Sequence, residues 1–172
     1  TKRFDRENGR KIHMQTLCGM AHYDFRLKNG HSYEQAFNVM RRLRLPYSQA
    51  QEMFRRIVFN VVVRNQDDHT KNISFLMDSS GQWSLSPAYD MGFAYNPLGA
   101  WTATHQMSIN GKFDNITRAD LLSLANANNI KNASEIIDQV CETTAGWPEL
   151  AKNCGVPQKM IDGIVPHMLL SI

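Results

Sequence analysis

The chain has few cysteines, no long apolar run and no marked excess of charge of either sign. Its three cysteines, Cys18, Cys141 and Cys154, are widely spaced and odd in number. That pattern holds neither a disulfide framework nor metal-ligand spacing, and it predicts reduced thiols in a cytoplasmic protein. No apolar stretch reaches the roughly 18 residues of a membrane span. No signal-peptide pattern opens the chain, so no membrane role is expected. Nineteen Lys and Arg against sixteen Asp and Glu leave a net charge of +3, too little to imply nucleic-acid binding by itself. Glycine is scattered: Gly9, Gly19, Gly30 and Gly81 stand singly, and no glycine-rich phosphate loop is found. His22, His31 and His105 have no partners at zinc-ligand spacing.

What is present suits one domain with a real core, 172 residues of ordinary globular composition. Asn8-Gly9 marks a turn, and Lys11 to Met20 reads as a short strand and loop. Ser32 with Gln35 forms a capping-box pattern that predicts a helix to about Leu45, stopped by Pro46. Ser48 with Gln51 repeats the pattern and opens a helix through Met53, Phe54, Ile57, Val58, Val61 and Val62. That helix is apolar nearly all round after its first turns, which predicts a buried central element. Two β-patterned runs around Asp78-Ser79-Ser80-Gly81-Gln82 predict a hairpin. A weak strand at Met107-Ser108-Ile109 ends at Asn110-Gly111. Thr117 with Asp120, and Asn132 with Glu135, cap two further helices, and a last helix runs from Pro157 to about Leu169. The class predicted is α+β, predominantly α-helical, as a single domain over 1–172.

The helix from Ser48 delivers the chain to Asn65-Gln66-Asp67-Asp68-His69-Thr70-Lys71-Asn72. Asp67 and Asn72 are five positions apart, and Asp90 follows eighteen positions after Asn72. Phosphoryl transfer needs a group that holds the attacking hydroxyl and oxygen ligands for Mg²⁺. In protein kinases a catalytic-loop Asp, an Asn five residues on and a later Asp fill those roles. The hairpin would fold Asp90 back beside Asn72, where both reach one metal ion. Taken alone, each residue has a plainer reading: Asp67 and Asn72 as turn residues, Asp90 as a cap. The joint spacing favours the catalytic one.

Arg3-Phe4-Asp5-Arg6, Asp67-x-His69-x-Lys71-Asn72 and Ala88-Tyr89-Asp90 together resemble the HipA-like serine/threonine kinases, toxins of bacterial toxin–antitoxin modules. Asp68 departs from the pattern, because the family often has Gly there. The five-residue step to Asn72 favours Asp67 as the catalytic Asp. The resemblance implies a protein-kinase-like C-terminal lobe with ATP and Mg²⁺ as cofactors. Asn72 and Asp90 hold the metal, and Lys71 steadies the transferred phosphate. Phe4 walls the adenine, the backbone near Lys2 reads its edge, Asp5 lies near the ribose, Tyr89 packs beneath the base, and His69 contacts the nucleotide or supports the loop. It further implies a protein substrate with a Ser or Thr acceptor, a translation component, and a helix-turn-helix antitoxin that alone contacts DNA.

The chain begins at Thr1 and runs at once into the Arg-Phe-Asp-Arg element. It is therefore expected to be a hinge plus C-terminal lobe, lacking the N-terminal lobe and inactive when isolated. Two other readings stand beside this one: a lobe of a small-molecule or lipid kinase, and a non-catalytic module that binds an antitoxin or regulator. The basic clusters Arg41-Arg42-Leu43-Arg44 and Arg55-Arg56 read as solvated helix faces.

Overall fold

The computed structural model describes residues 3–172. Arg6–Glu7 (β1) and Arg10–Lys11 (β2) pair antiparallel. Asn8 and Gly9 turn between them at φ 48° and 78°, as the Asn-Gly signal requires. His13–Thr16 forms β3 and Leu17–Ala21 forms α1. The loop expected at this point is therefore a helical turn. Thr16 caps it, accepting from the Gly19 amide at 3.0 Å, and Leu17 is fully buried.

His31–Ser32 (β4) leads into Tyr33–Arg42 (α2). The predicted capping box forms: the Gln35 amide donates to Ser32 Oγ at 3.3 Å, and the Ser32 amide donates to Gln35 Oε1 at 2.9 Å. The helix ends at Arg42 rather than near Leu45. Arg44 takes the left-handed conformation (φ 57°), and the amides of Arg44 and Leu45 donate to the carbonyls of Arg41 and Met40. This closure satisfies the last carbonyls before Pro46, whose ring disfavours a helical Leu45.

Tyr47–Val62 forms α3. Its N-cap is Pro46, extended at φ −67° and ψ 157°, with no side-chain cap bond. Ser48 thus lies inside the first turn, and the expected Ser48/Gln51 box does not form. Gln51 Nε2 instead donates to Asn132 Oδ1 at 2.7 Å. The same bond accounts for a second correction. Asn132 is the N-cap of Ala133–Ala145 (α5, following Arg118–Ala127, α4), but its side chain makes no cap bond. One cross-helix contact replaces two local ones and ties α3 to α5.

Ser74–Met77 (β5) and Trp83–Leu85 (β6) make the predicted hairpin, and β3 pairs with the other edge of β5. The sheet is antiparallel throughout, in the order β3-β5-β6. Met107–Ser108 (β7) pairs parallel with β4. Two short helices close the chain, Trp147–Asn153 (α6) and Gln158–Ile164 (α7). The periodicity did not reveal α6, and the last helix stops at Ile164 rather than Leu169. Pro166 turns the chain into a 3₁₀ turn, Val165–His167, and Met168 is extended. The Leu169 amide then donates to the Val62 carbonyl at 2.8 Å.

The core lies along α3. Phe54, Ile57, Val58, Val61 and Val62 are fully buried and pack among Phe37, Leu121, Ile136 and Ile137. Fully burying one such side chain stabilises by about 1.5–3 kcal/mol. Helix α3 is therefore a rigid post, and the loop leaving its C-terminus is placed by the core.

Candidate active site

Three attachments hold the loop that leaves α3. The Gln66 amide donates to the Ala94 carbonyl at 3.1 Å, and the Ala94 amide to the Arg64 carbonyl at 3.1 Å. Thr70 Oγ1 donates to the Tyr23 carbonyl at 2.8 Å. The amides of Cys18 and Leu17 donate to the carbonyls of Thr70 and Ile73, at 3.1 and 2.7 Å. Helix α1 is thus tied to the loop by its first residues.

Inside the loop, the Asn72 amide nitrogen donates to the Asp67 carbonyl at 2.9 Å. This contact orients Asn72: with Nδ2 engaged, Oδ1 is the free oxygen. The Asp67 side chain is 48% exposed, with His69 Nε2 4.0 Å away, too far for a hydrogen bond. Its carboxylate has no hydrogen-bond donor among the described residues and is free to accept one from outside. Asp68 points the other way. Its side chain is 1% exposed, and its oxygens accept from Tyr33 Oη (2.7 Å), His105 Nδ1 (2.8 Å) and the Gln106 amide (2.7 Å). Neighbouring carboxylates have opposite fates, and only that of Asp67 is open to solvent.

The hairpin returns the chain to the same place. The Ser86 amide donates to the Ser74 carbonyl at 2.9 Å, extending the β5–β6 ladder by a step. Arg56 Nη1 donates to the Ser86 carbonyl at 2.9 Å, and its Nε pairs with Glu52 at 2.7 Å. Tyr89 Oη donates to the Lys71 carbonyl at 2.6 Å and bonds the buried Ser74 hydroxyl. Burial raises the Tyr89 pKa; the Ser74 bond lowers it, and the Asp90 charge adds to the rise. Asp90 follows in the left-handed conformation, φ 54°, which Asp tolerates better than most residues. Asn72, Tyr89, Asp90 and His69 line one small cavity. The Asp90 carboxylate is exposed, with no ion pair or hydrogen bond among the described residues.

Phe4 meets Tyr89 with ring centroids 5.8 Å apart and planes 34° apart. Asp5 is bonded by Arg3 at 2.6 Å and Arg6 at 2.6 Å. The Arg3 bond, more than the neighbouring positive charges, holds its pKa down at about 2. Lys71 Nζ lies 4.3 Å from the centroid of the Phe25 ring, which stands edge-on to His69 at 5.5 Å. The buried His69 Nδ1 has no partner among the described residues. Lys2 lies outside the described residues.

The chain matches the model of the HipA-like C-terminal domain over residues 1–147. It belongs to the HipA-like C-terminal domain family. Among curated proteins it is similar to "Putative kinase Y4dM" of Sinorhizobium fredii, 30% identical over 96% of this chain and 42% of that protein. Among solved structures it is similar to HipA of Shewanella oneidensis MR-1, determined with HipB and operator DNA. The TM-score is 0.66 at 22% identity, over 86% of this chain and 39% of that one. The chain therefore spans about two fifths of the length of the relatives it matches.

For this HipA-like domain the structure brings together Asp67, His69, Asn72, Tyr89 and Asp90, with Phe4 against Tyr89. Lys71 is turned onto Phe25. Sequence reasoning missed Tyr33, Asn60, Asn65 and His105, whose polar atoms converge behind the loop. It also missed Arg56, read as one of a solvated pair. The one legible sign was polarity on an otherwise apolar helix: Arg56 and Asn60 interrupt the core stripe of α3.

Proposed function

We propose that this chain is the catalytic lobe of a Mg²⁺–ATP-dependent serine/threonine protein kinase of the toxin–antitoxin type. The observation that carries this reading is the shared cavity of Asn72 and Asp90 beside the free carboxylate of Asp67. The donor set fits magnesium: one amide oxygen and one carboxylate, both without competing protein partners among the described residues, suit a hard cation that keeps waters and phosphate oxygens as its other ligands. Asn72 Oδ1 and the Asp90 carboxylate would hold Mg²⁺, which supplies neutralisation of the charge on the phosphates.

Asp67 accepts a hydrogen bond from the Ser or Thr hydroxyl and aims its oxygen at the γ-phosphorus. The new O–P bond forms as the bond to the β–γ bridging oxygen breaks. ADP leaves and the hydroxyl proton passes towards Asp67. The role of Asp67 is chiefly to orient the hydroxyl. Asn72, by bonding the Asp67 carbonyl, couples the metal site to the residue that aligns the nucleophile. The Phe4–Tyr89 pair offers the adenine an apolar wall, and Asp5 reaches the ribose from its place between Arg3 and Arg6. Lys71 would have to leave Phe25 to meet a phosphate. A cation–π contact of this kind is worth only about 0.5–1 kcal/mol at an exposed site, so that movement is easy.

Membership of the HipA-like family supports a helix-turn-helix antitoxin as partner, with DNA reached only through it, and a translation component as the phosphorylated protein. The test uses the protein carrying this chain, with radiolabelled ATP and Ser- or Thr-containing acceptors. Asp67→Asn is expected to lower transfer by about 10²–10⁴-fold while Mg²⁺–nucleotide binding persists. Asp90→Ala is expected to weaken that binding. Full transfer by Asp67→Asn removes the catalytic assignment. Label on a lipid or metabolite, with no labelled protein, moves the function to a small-molecule kinase.

A further inference from the structure

The small cavity that Asn72 and Asp90 line is also lined by Tyr33, Asn60, Asn65 and Asp68, and these four are joined by a chain of hydrogen bonds. Asn65 Nδ2 donates to Asn60 Oδ1 at 2.9 Å and lies 3.4 Å from the Asp90 carbonyl. Asn60 Nδ2 donates to Tyr33 Oη at 3.0 Å, and Tyr33 Oη donates to Asp68 Oδ2 at 2.7 Å. The path runs from the backbone of Asp90, through α3 and the start of α2, to the residue beside Asp67. We infer that Asp68 and Tyr33 are positioning residues, and that this buried chain sets the separation between the catalytic loop and the Asp90 segment. The inference rests on the kinase reading of the site.

Three features favour positioning over simple packing. First, the donors all point one way, from Asn65 to Asn60 to Tyr33 to Asp68. At its end the Gln106 amide also donates to Asp68, at 2.7 Å, so the chain ends on an accepting group. His105 Nδ1 faces the same carboxylate at 2.8 Å and therefore carries its proton. Second, three of the four links are buried. Asn65 is 3% exposed, Tyr33 1% and Asp68 2%, while Asn60 is half-buried, so a broken link at Tyr33 or Asp68 leaves a buried group unpaired. Burial, and then the Asp68 charge, raise the Tyr33 pKa well above its ordinary value, so its hydroxyl remains a donor at any working pH. Third, the two ends are the two halves of the site. Asp68 adjoins Asp67, and its three bonds fix the backbone from which the Asp67 side chain projects. At the other end, Asn65 reaches the carbonyl of Asp90 itself. A shift at either end therefore changes how Asn72 and Asp90 share an ion.

The experiment compares wild type, Tyr33→Phe, Asp68→Asn and the double variant, with Asp67→Asn as the control for the chemistry. Tyr33→Phe deletes only the linking hydroxyl. Asp68→Asn preserves shape but presents an N–H group to donors. Readouts are kcat, the Mg²⁺ concentration for half-maximal nucleotide binding by calorimetry, and the melting temperature. Each single change is expected to lower kcat and raise the half-maximal Mg²⁺ concentration, each by about tenfold, the scale of outer-shell substitutions. The double variant is expected to match the worse single, because both cut one chain. A merely structural role predicts lower melting temperatures with kcat and the Mg²⁺ midpoint unchanged. That result overturns the inference, and so does strict additivity in the double variant. If Asp68→Asn does not fold, Tyr33→Phe alone decides on the same criteria. Transfer that survives Asp67→Asn instead removes the kinase reading itself, which separates the two failures.

Discussion

Tyr89 does at the scale of one residue what the hairpin does at the scale of an element. Its hydroxyl spans the Lys71 carbonyl and the Ser74 hydroxyl, and so closes the gap between the two segments that carry Asn72 and Asp90. Tyr89→Phe keeps the ring against Phe4 but leaves Ser74, fully buried, without that bond. The expected loss is about 1–3 kcal/mol, read as a lower midpoint in urea unfolding at unchanged slope. That Asp67, Asn72 and Asp90 come together was legible in the sequence because the hairpin between Asn72 and Asp90 folds the two segments onto each other. Asp68 was not. Its partners Tyr33 and His105 lie 35 and 37 positions away, and no local pattern links them. The adjacent aspartates differ only in which way the backbone turns them, and that is decided by the fold. Asn72 held a second secret of this kind: its amide nitrogen bonds the Asp67 carbonyl, so the five-residue spacing is also a hydrogen bond within the loop.

At the scale of elements, helix starts were legible where the cap bonds are local. The boxes at Ser32/Gln35 and Thr117/Asp120 formed; those at Ser48/Gln51 and Asn132/Glu135 yielded to the Gln51–Asn132 contact between helices. Asp120 also shows how one cap gathers a tertiary role. Its carboxylate accepts from Lys112 Nζ at 2.8 Å, Asn110 Nδ2 at 2.9 Å and the Thr117 amide at 2.9 Å. Burial pushes its pKa up, but these bonds together outweigh burial and hold it below its ordinary value. A carboxyl depressed in the folded state stabilises above its unfolded pKa, about 3.9, and that contribution is lost as the pH falls towards the folded value. Asp120→Asn is therefore expected to lower the melting temperature clearly at pH 7. The gap from wild type should narrow steadily below about pH 4; a gap independent of pH would show that the charge contributes nothing.

For the whole molecule, the strongest legible feature was the apolar stripe of α3, because a helix buried on nearly all sides writes its environment into its composition. The α+β class and the hairpin followed from periodicity and turn residues. Less legible were the contacts that make three sheets from short strands: β3 against β5, and β4 parallel to β7. Such pairings join residues far apart in sequence, and strands of two to four residues carry too little pattern to specify partners. Helix α6 escaped notice for a related reason. It is a seven-residue helix with a single buried residue, Ala151, so its composition bears little imprint of the core. No helix among the described residues is long and apolar enough to cross a membrane.

The hairpin between Asn72 and Asp90 makes the distance in space independent of the distance along the chain. Its tip is an exposed turn in which Asp78 Oδ1 accepts from the amides of Ser80 and Gln82, at 2.8 and 2.9 Å. Extra residues between Ser79 and Ser80 would lengthen only that tip, and doubling a flexible loop adds only about 0.6 kcal/mol of closure entropy. One residue added within β5 would instead invert the faces of the rest of that strand against β3 and β6. The tip is thus a place to graft a fluorescent tag or an affinity peptide. Such a graft is expected to leave Mg²⁺–nucleotide binding by calorimetry within twofold of the parent, roughly 0.4 kcal/mol. The single insertion in β5 should abolish that binding.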